Sequence, residues 1–193
     1  MATNNMINVP LILSTGTGNY VGSNSPTFVT PTLGAASATS LSFSSTAGII
    51  GTTTNNAAAA LSVGEEAQTI VLLSGASSIT TATPANVTSV SLTAGDWDVW
   101  GNVGCNGNAA TLVQSIQGWT STTSATLPDG SLVSGPSFGS TGLAVFSQTY
   151  YNFCVPIQRY SLSGTTTIYL SIQSTFSVNT NNAFGAIYAR RRR

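Results

Sequence analysis

The chain has 193 residues and a mass of 19.7 kDa, which is room for one compact domain with an extension or for two small modules. Formal net charge is +0, and charged residues make up 5% of the chain, against about 25% in an ordinary soluble domain. With no histidine and no lysine, a Ser-His-Asp triad, a histidine-ligated metal, a P-loop lysine and a Schiff base are excluded.

Four of the five cations, Arg190, Arg191, Arg192 and Arg193, stand together at the end of the chain. Only Arg159 remains for the body, so no basic groove for nucleic acid can be built there. The chain is not of disordered type, because 41% of it is hydrophobic and mean hydropathy is +0.22. A soluble surface with so little charge implies that much of it is covered in an assembly.

Residues 1–64 are rich in Gly, Ser, Thr, Asn, Ala and Pro, with short apolar islands at Val9–Leu13, Thr27–Val29, Leu41–Phe43 and Ile49–Ile50. None is long or periodic enough for a core of its own. Pro10, Pro26 and Pro31 favour extended backbone. The segment therefore reads as an extended arm that buries its islands on copies of itself or on a partner. No membrane insertion is expected, since Val9–Leu13 contains Pro10 and is far too short to span a bilayer. At Asn55–Leu61 a capping Asn and four alanines are compatible with a helical turn or with a small-residue linker.

Residues 65–193 read as a β-domain. Candidate strands are Gln68–Leu73, Val87–Leu92, Asp96–Val103, Leu112–Trp119, Leu143–Phe153, Val155–Leu162, Thr166–Phe176 and Phe184–Ala189. In Thr166–Phe176, Ile168, Leu170, Ile172 and Phe176 share one face. In Asp96–Val103, Trp97, Val99 and Val103 share one, with Asp96, Asp98, Trp100 and Asn102 opposite. Period-two alternation of this kind marks half-buried antiparallel strands. Turn signals at Ala94-Gly95, Asn106-Gly107, Pro128-Asp129-Gly130 and Ser163-Gly164 separate them. The expected fold is an all-β antiparallel sandwich or jelly roll, for which two four-stranded sheets would suffice. Phe184–Ala189 is apolar or small on both faces, as in a central or subunit-interface strand. Cys105 and Cys154 read as two buried thiols, although a single bridge stays open.

The residues that might carry chemistry are few. Asp96 and Asp98 share one strand face, where paired carboxylates can serve glycoside hydrolysis or bind calcium, but Asp96 also reads as a turn residue entering a strand. Glu65-Glu66 reads as a solvated junction. The glycine-rich Gly16–Gly22 lacks the lysine and following helix of a phosphate loop. Trp100, flanked on its face by Asp98 and Asn102, is the best candidate for stacking on a sugar. Most of the other aromatics read as core or subunit interface. Arg190–Arg193 reads as a solvated tail, a contact to a phosphate-bearing polymer or a dock for an acidic partner. No catalytic residue, cofactor or metal is expected.

Two stretches together resemble known proteins. LILSTGTGNYVGSNSPTFVTPTLGAASATSLSFSSTAGI (Leu11–Ile49) resembles the recurring amino-terminal segment of bacteriophage tail-fibre and related virion fibre proteins. SVSLTAGDWDVWGNV (Ser89–Val103), STTSATLPD (Ser121–Asp129), RYSLSGTTTIYLSIQSTFSV (Arg159–Val178) and AFGAIYARRRR (Ala183–Arg193) resemble a small phage domain often fused to such segments. The resemblance implies a homotrimeric virion protein whose domain is similar to jelly rolls of the C1q/tumour-necrosis-factor type. It also implies that the amino-terminal arm, with Thr27, Phe28, Val29, Pro31 and Leu33, attaches to another virion protein. Tail fibres usually carry a long shaft and this chain has almost none. Two readings follow: a short tail fibre that recognises a bacterial surface polysaccharide or protein, and a capsid decoration or head-fibre protein that binds and stabilises the shell.

Overall fold

The structure, a computed structural model, describes residues 53–108, 110–127, 150–177 and 179–193, and the backbone path of 137–146. The attachment-arm residues Thr27, Phe28, Val29, Pro31 and Leu33 lie outside the described residues, as does Asp129.

The β-branched and aromatic runs form strands β1 (Glu66–Val71), β2 (Ser77–Ile79), β3 (Ala85–Leu92), β4 (Gly95–Gly107), β5 (Leu112–Ser121), β6 (Ser137–Phe146), β7 (Tyr150–Leu162), β8 (Thr166–Ser177) and β9 (Asn181–Arg191). All pairings are antiparallel, and they build two sheets. One runs β1-β9-β4-β7, with β2 also paired to β9; the other runs β3-β8-β5-β6. The pairing is nested. The pair β5–β6 is enclosed by β4–β7, then by β3–β8, then by β1 and β2 on β9.

The sheets share one core. The first contributes Val99 and Val103 from β4, Val155 from β7 and Ile187 from β9. The second contributes Leu92, Val113, Ile116, Ile168, Leu170 and Ile172. Alternation puts these residues on one face of each strand, and in β5 a bulge between Val113 and Ser115 brings Val113 and Ile116 to the same face. Close approach of the layers depends on glycines. Gly101 lies against Leu170 and the Ala186 carbonyl, and Gly118 lies against Val103 and Phe153.

Several boundaries differ from the sequence reading. The expected strand Leu143–Phe153 is not one strand: Ser137–Phe146 and Tyr150–Leu162 are separate, and the latter runs unbroken through Cys154. Strand β2 was not expected. It extends the edge begun by β1 after a 3-10 turn at Leu73–Gly75, so the first sheet has five strands rather than four. Asn55–Leu61 is irregular, with a bend at Asn55 and a turn at Ala60–Leu61 rather than a helix, and Leu61 has φ +67. Four alanines lower the cost of a helix, but too short a segment cannot offset nucleation. Cys105 is buried, and burial pushes its thiol pKa up, whereas Cys154 is exposed on β7 and unbridged. Strand β9 is flanked on both sides, as its two-sided apolar pattern indicates.

A Cβ at Gly118 would collide with Val103 Cγ1 and stand 3.0 Å from the Phe153 ring, whereas nothing lies within 4 Å of one at Gly164. Gly118→Ala is therefore expected to lower unfolding free energy by about 1–3 kcal/mol, the usual cost of overpacking. Gly164→Ala should change it little. Urea denaturation of the two variants checks the contrast.

Candidate functional site at the outer face of the five-stranded sheet

Strand β4 turns Asp96, Asp98, Trp100 and Asn102 away from the core, because they alternate with buried Trp97, Val99 and Val103. Register then fixes their neighbours. Glu66, Arg190, Asp98 and Arg159 form one cross-strand row. Gln68, Tyr188 and Trp100 form the next. Ile70, Ala186, Asn102 and Cys154 form a third. The sequence-predicted residues Trp100, Asp98 and Asn102 thus do share a face, and each meets a specific neighbour there. The Trp100 ring stacks on Tyr188 with centroids 5.9 Å apart and planes at 20°. Asp98 lies 3.5 Å from Arg192 Nη1. Asn102 sits between Ala186 and Cys154 in register.

Opposite Trp100, the edge strand β7 bulges. Val99 pairs Gln158 and Gly101 pairs Val155, so Pro156 and Ile157 together face one residue. On the other side of Trp100 a cavity of about 250 Å³ opens, lined by Ala57, Gln68, Trp100 and Tyr188, with Ala67 and Ala189, and with Glu66 beside them.

Every charged side chain among the described residues gathers at one end of this sheet. Arg159 donates from Nε and Nη2 to the two Asp96 carboxylate oxygens at 2.7 and 2.8 Å, and Arg193 Nε adds a third bond at 3.0 Å. Arg191 is only 4% exposed. Its Nε donates to Glu65 Oε2 at 2.7 Å, Nη1 to the Ala94 carbonyl at 2.9 Å and Nη2 to Thr93 Oγ1. Its guanidinium carbon stands 4.4 Å from the centre of the Trp97 ring. The Leu61 N–H donates to the same Glu65 oxygen at 2.8 Å, and backbone bonds join Gly64 and Glu65 to Arg191.

These contacts correct three sequence expectations. Glu65 is not a solvated junction residue, Asp96 is a buried ion-pair centre rather than a turn residue, and the arginine run is not a free tail. Period two was the available signal, since Arg191 is in phase with inward-facing Ile187 and Ala189.

The Arg159 guanidinium holds Asp96 below the ordinary carboxyl value of 3.8, with burial opposing it. Arg191 does the same for Glu65, below 4.5, again against burial. A general acid is served by the opposite shift. Tyr160, buried between the sheets and bonded to Thr120 and Gln158, is pushed up to about 12 by burial. Among the described residues, no three His, Cys, Asp or Glu side chains are grouped to hold a metal. No helix there is long and apolar enough to cross a membrane. No family model matches the chain, and no curated protein matches it.

Arg191→Met leaves Glu65 without its cation and is expected to cost about 3 kcal/mol, as when one partner of a buried pair is removed. Arg191→Met combined with Glu65→Gln should cost less. Urea denaturation of both checks this order.

The depressed pKa values of Glu65 and Asp96 also set a pH dependence. Each group binds protons more readily unfolded than folded, so its contribution is complete above its ordinary value, 4.5 or 3.8. It is lost as pH falls below those values toward the folded ones. The urea midpoint is expected to be level from pH 7 to 5 and to fall below that; in Arg191→Met the Glu65 part of the fall should shrink.

Proposed function

We propose that the chain is a structural component of a bacteriophage virion, a short homotrimeric tail fibre. Residues 1–64 attach it to another virion protein. Residues 65–193 form a jelly roll exposed for recognition of a bacterial surface polysaccharide or protein. The role is adhesive rather than enzymatic. Three copies would raise the avidity of individually weak contacts through effective concentration.

The nested strand pairing carries this reading. A ribbon of antiparallel pairs, 5–6, 4–7, 3–8 and 1–9, folded over into two sheets, is how a jelly roll is wound. The sequence resemblance points to the same fold in phage fibres. Composition points the same way. With charges drawn to one end, the remaining surface has little to keep three copies apart, and it exposes Ile70, Leu72, Tyr150 and Ile157.

Labelling of intact virions with an antibody against residues 65–193, viewed by electron microscopy, tests the placement. Label at the tail end is expected. Label spread over the capsid would replace the fibre by the decoration or head-fibre reading, in which the arm stabilises the shell. Particles that contain no such chain would contradict both.

A further inference from the structure

We infer that Arg159, Arg192 and Arg193 form a binding site for a phosphate group of the bacterial surface polymer that the domain recognises. The inference rests on the adhesive reading above and adds which surface meets the polymer and what chemistry it takes there.

The three guanidiniums come from two places in the chain, Arg159 from the edge strand β7 and Arg192 and Arg193 from just past β9. With Asp96 they line a cavity of about 330 Å³, the size of a small-molecule site, which runs from about 300 to 1,000 Å³. Asp96 is its buried member, with a side chain 7% exposed, whereas the arginine side chains are 50 to 75% exposed.

These cations exceed what the carboxylates need. The fork of Arg159 alone fills Asp96, with Nε and Nη2 at 2.7 and 2.8 Å from its two oxygens, and Arg193 Nε adds a further bond at 3.0 Å. Arg192 Nη1 stands 3.5 Å from Asp98, beyond the about 2.7–2.9 Å of a charge-assisted hydrogen bond. Among the described residues, Arg159 Nη1, both Nη atoms of Arg193 and Nη2 of Arg192 keep their donors for another acceptor. With Asp129 outside the described residues, five arginines face four side-chain carboxylates. Glu65 matches Arg191, and Glu66 is the cross-strand neighbour of Arg190, so the surplus cation falls to this cavity. The Arg193 backbone oxygen is turned to β4, where it accepts from the Asp96 N–H at 3.4 Å.

Geometry selects phosphate. A planar carboxylate is filled by one guanidinium fork, as at Asp96. Three guanidiniums around one cavity suit a group with oxygens on several sides. Asp96 fixes two of the three before any ligand arrives, so less side-chain freedom is lost on binding. All other described surface away from this end is without charged side chains, so no second site competes for the anion there. Three copies would offer the site three times to a polymer that repeats its phosphate.

Surface plasmon resonance of the full chain over an immobilised glycerol phosphate oligomer tests this. Binding is expected, and inorganic phosphate should displace the chain at an ionic strength where chloride does not. Arg192→Gln combined with Arg193→Gln, both at exposed positions, should weaken binding about tenfold or more with circular dichroism unchanged. Equal binding by that variant would overturn the inference. Equal displacement by chloride, or equal binding to the carboxylate polymer polygalacturonate, would overturn it too. The full chain added in excess to host cells should also compete with adsorption of the virions. Competition without binding to the oligomer would overturn the inference and leave the adhesive reading standing. Absence of competition would remove the adhesive reading and the polymer with it.

Discussion

A guanidinium cannot shed its charge, so a buried one dictates what surrounds it. Arg191 lies on the inward face at the end of β9, where the core closes. It draws Glu65 from ahead of β1, Thr93 and Ala94 from the β3–β4 turn, and the face of Trp97 from β4. Segments far apart in sequence are held to the last strand by one side chain. The neighbouring arginines extend the clasp over the sheet surface, Arg193 and Arg159 onto Asp96, and Arg192 toward Asp98. Gly64 and Glu65, just ahead of β1, are thereby tied to the end of β9 by backbone and side-chain bonds together.

Concentrating charge in one place has a consequence elsewhere. Away from the clasp, the outer face of the five-stranded sheet is made of Trp100, Tyr188, Ile70, Ala186 and Cys154, with Gln68 and Asn102 among them. Association on such a face is governed by shape and apolar burial rather than by ion pairs, and it is little affected by salt. At the bulge, Pro156 brings no N–H to the free edge of β7, which disfavours strand addition there.

The β-domain was legible because its signals are local. Alternation in Asp96–Val103 and Thr166–Phe176 placed Trp97, Val99, Ile168, Leu170 and Ile172 correctly in the core. The two-sided apolar pattern of Phe184–Ala189 marked a central or subunit-interface strand, and β9 lies between β1 and β4. What failed was set by distant partners. Nothing near Ser77–Ile79 announces a strand; it exists because β9 offers a free edge there. The division of 143–162 was misplaced because Cys154 lies within a continuous ladder to β4. At the site, Trp100, Asp98 and Asn102 were read onto the right face from alternation alone. Their neighbours Tyr188, Gln68 and Ile157 were not read, because cross-strand register cannot be deduced from one strand. The ion pairs of Arg191 and Asp96 were hidden for the same reason, since their partners lie far away along the chain.

The claim on which the account turns is that the Arg191 clasp holds the residues ahead of β1 to the end of β9 as firmly as the core is held. Native-state hydrogen exchange of the full chain measures this residue by residue. The Gly64 and Arg191 amides, bonded across the two segments at 3.0 and 2.9 Å, should be protected to nearly the degree of the amides in the middle of β4. Exchange of both at free-peptide rates, with β4 still protected, would contradict the account.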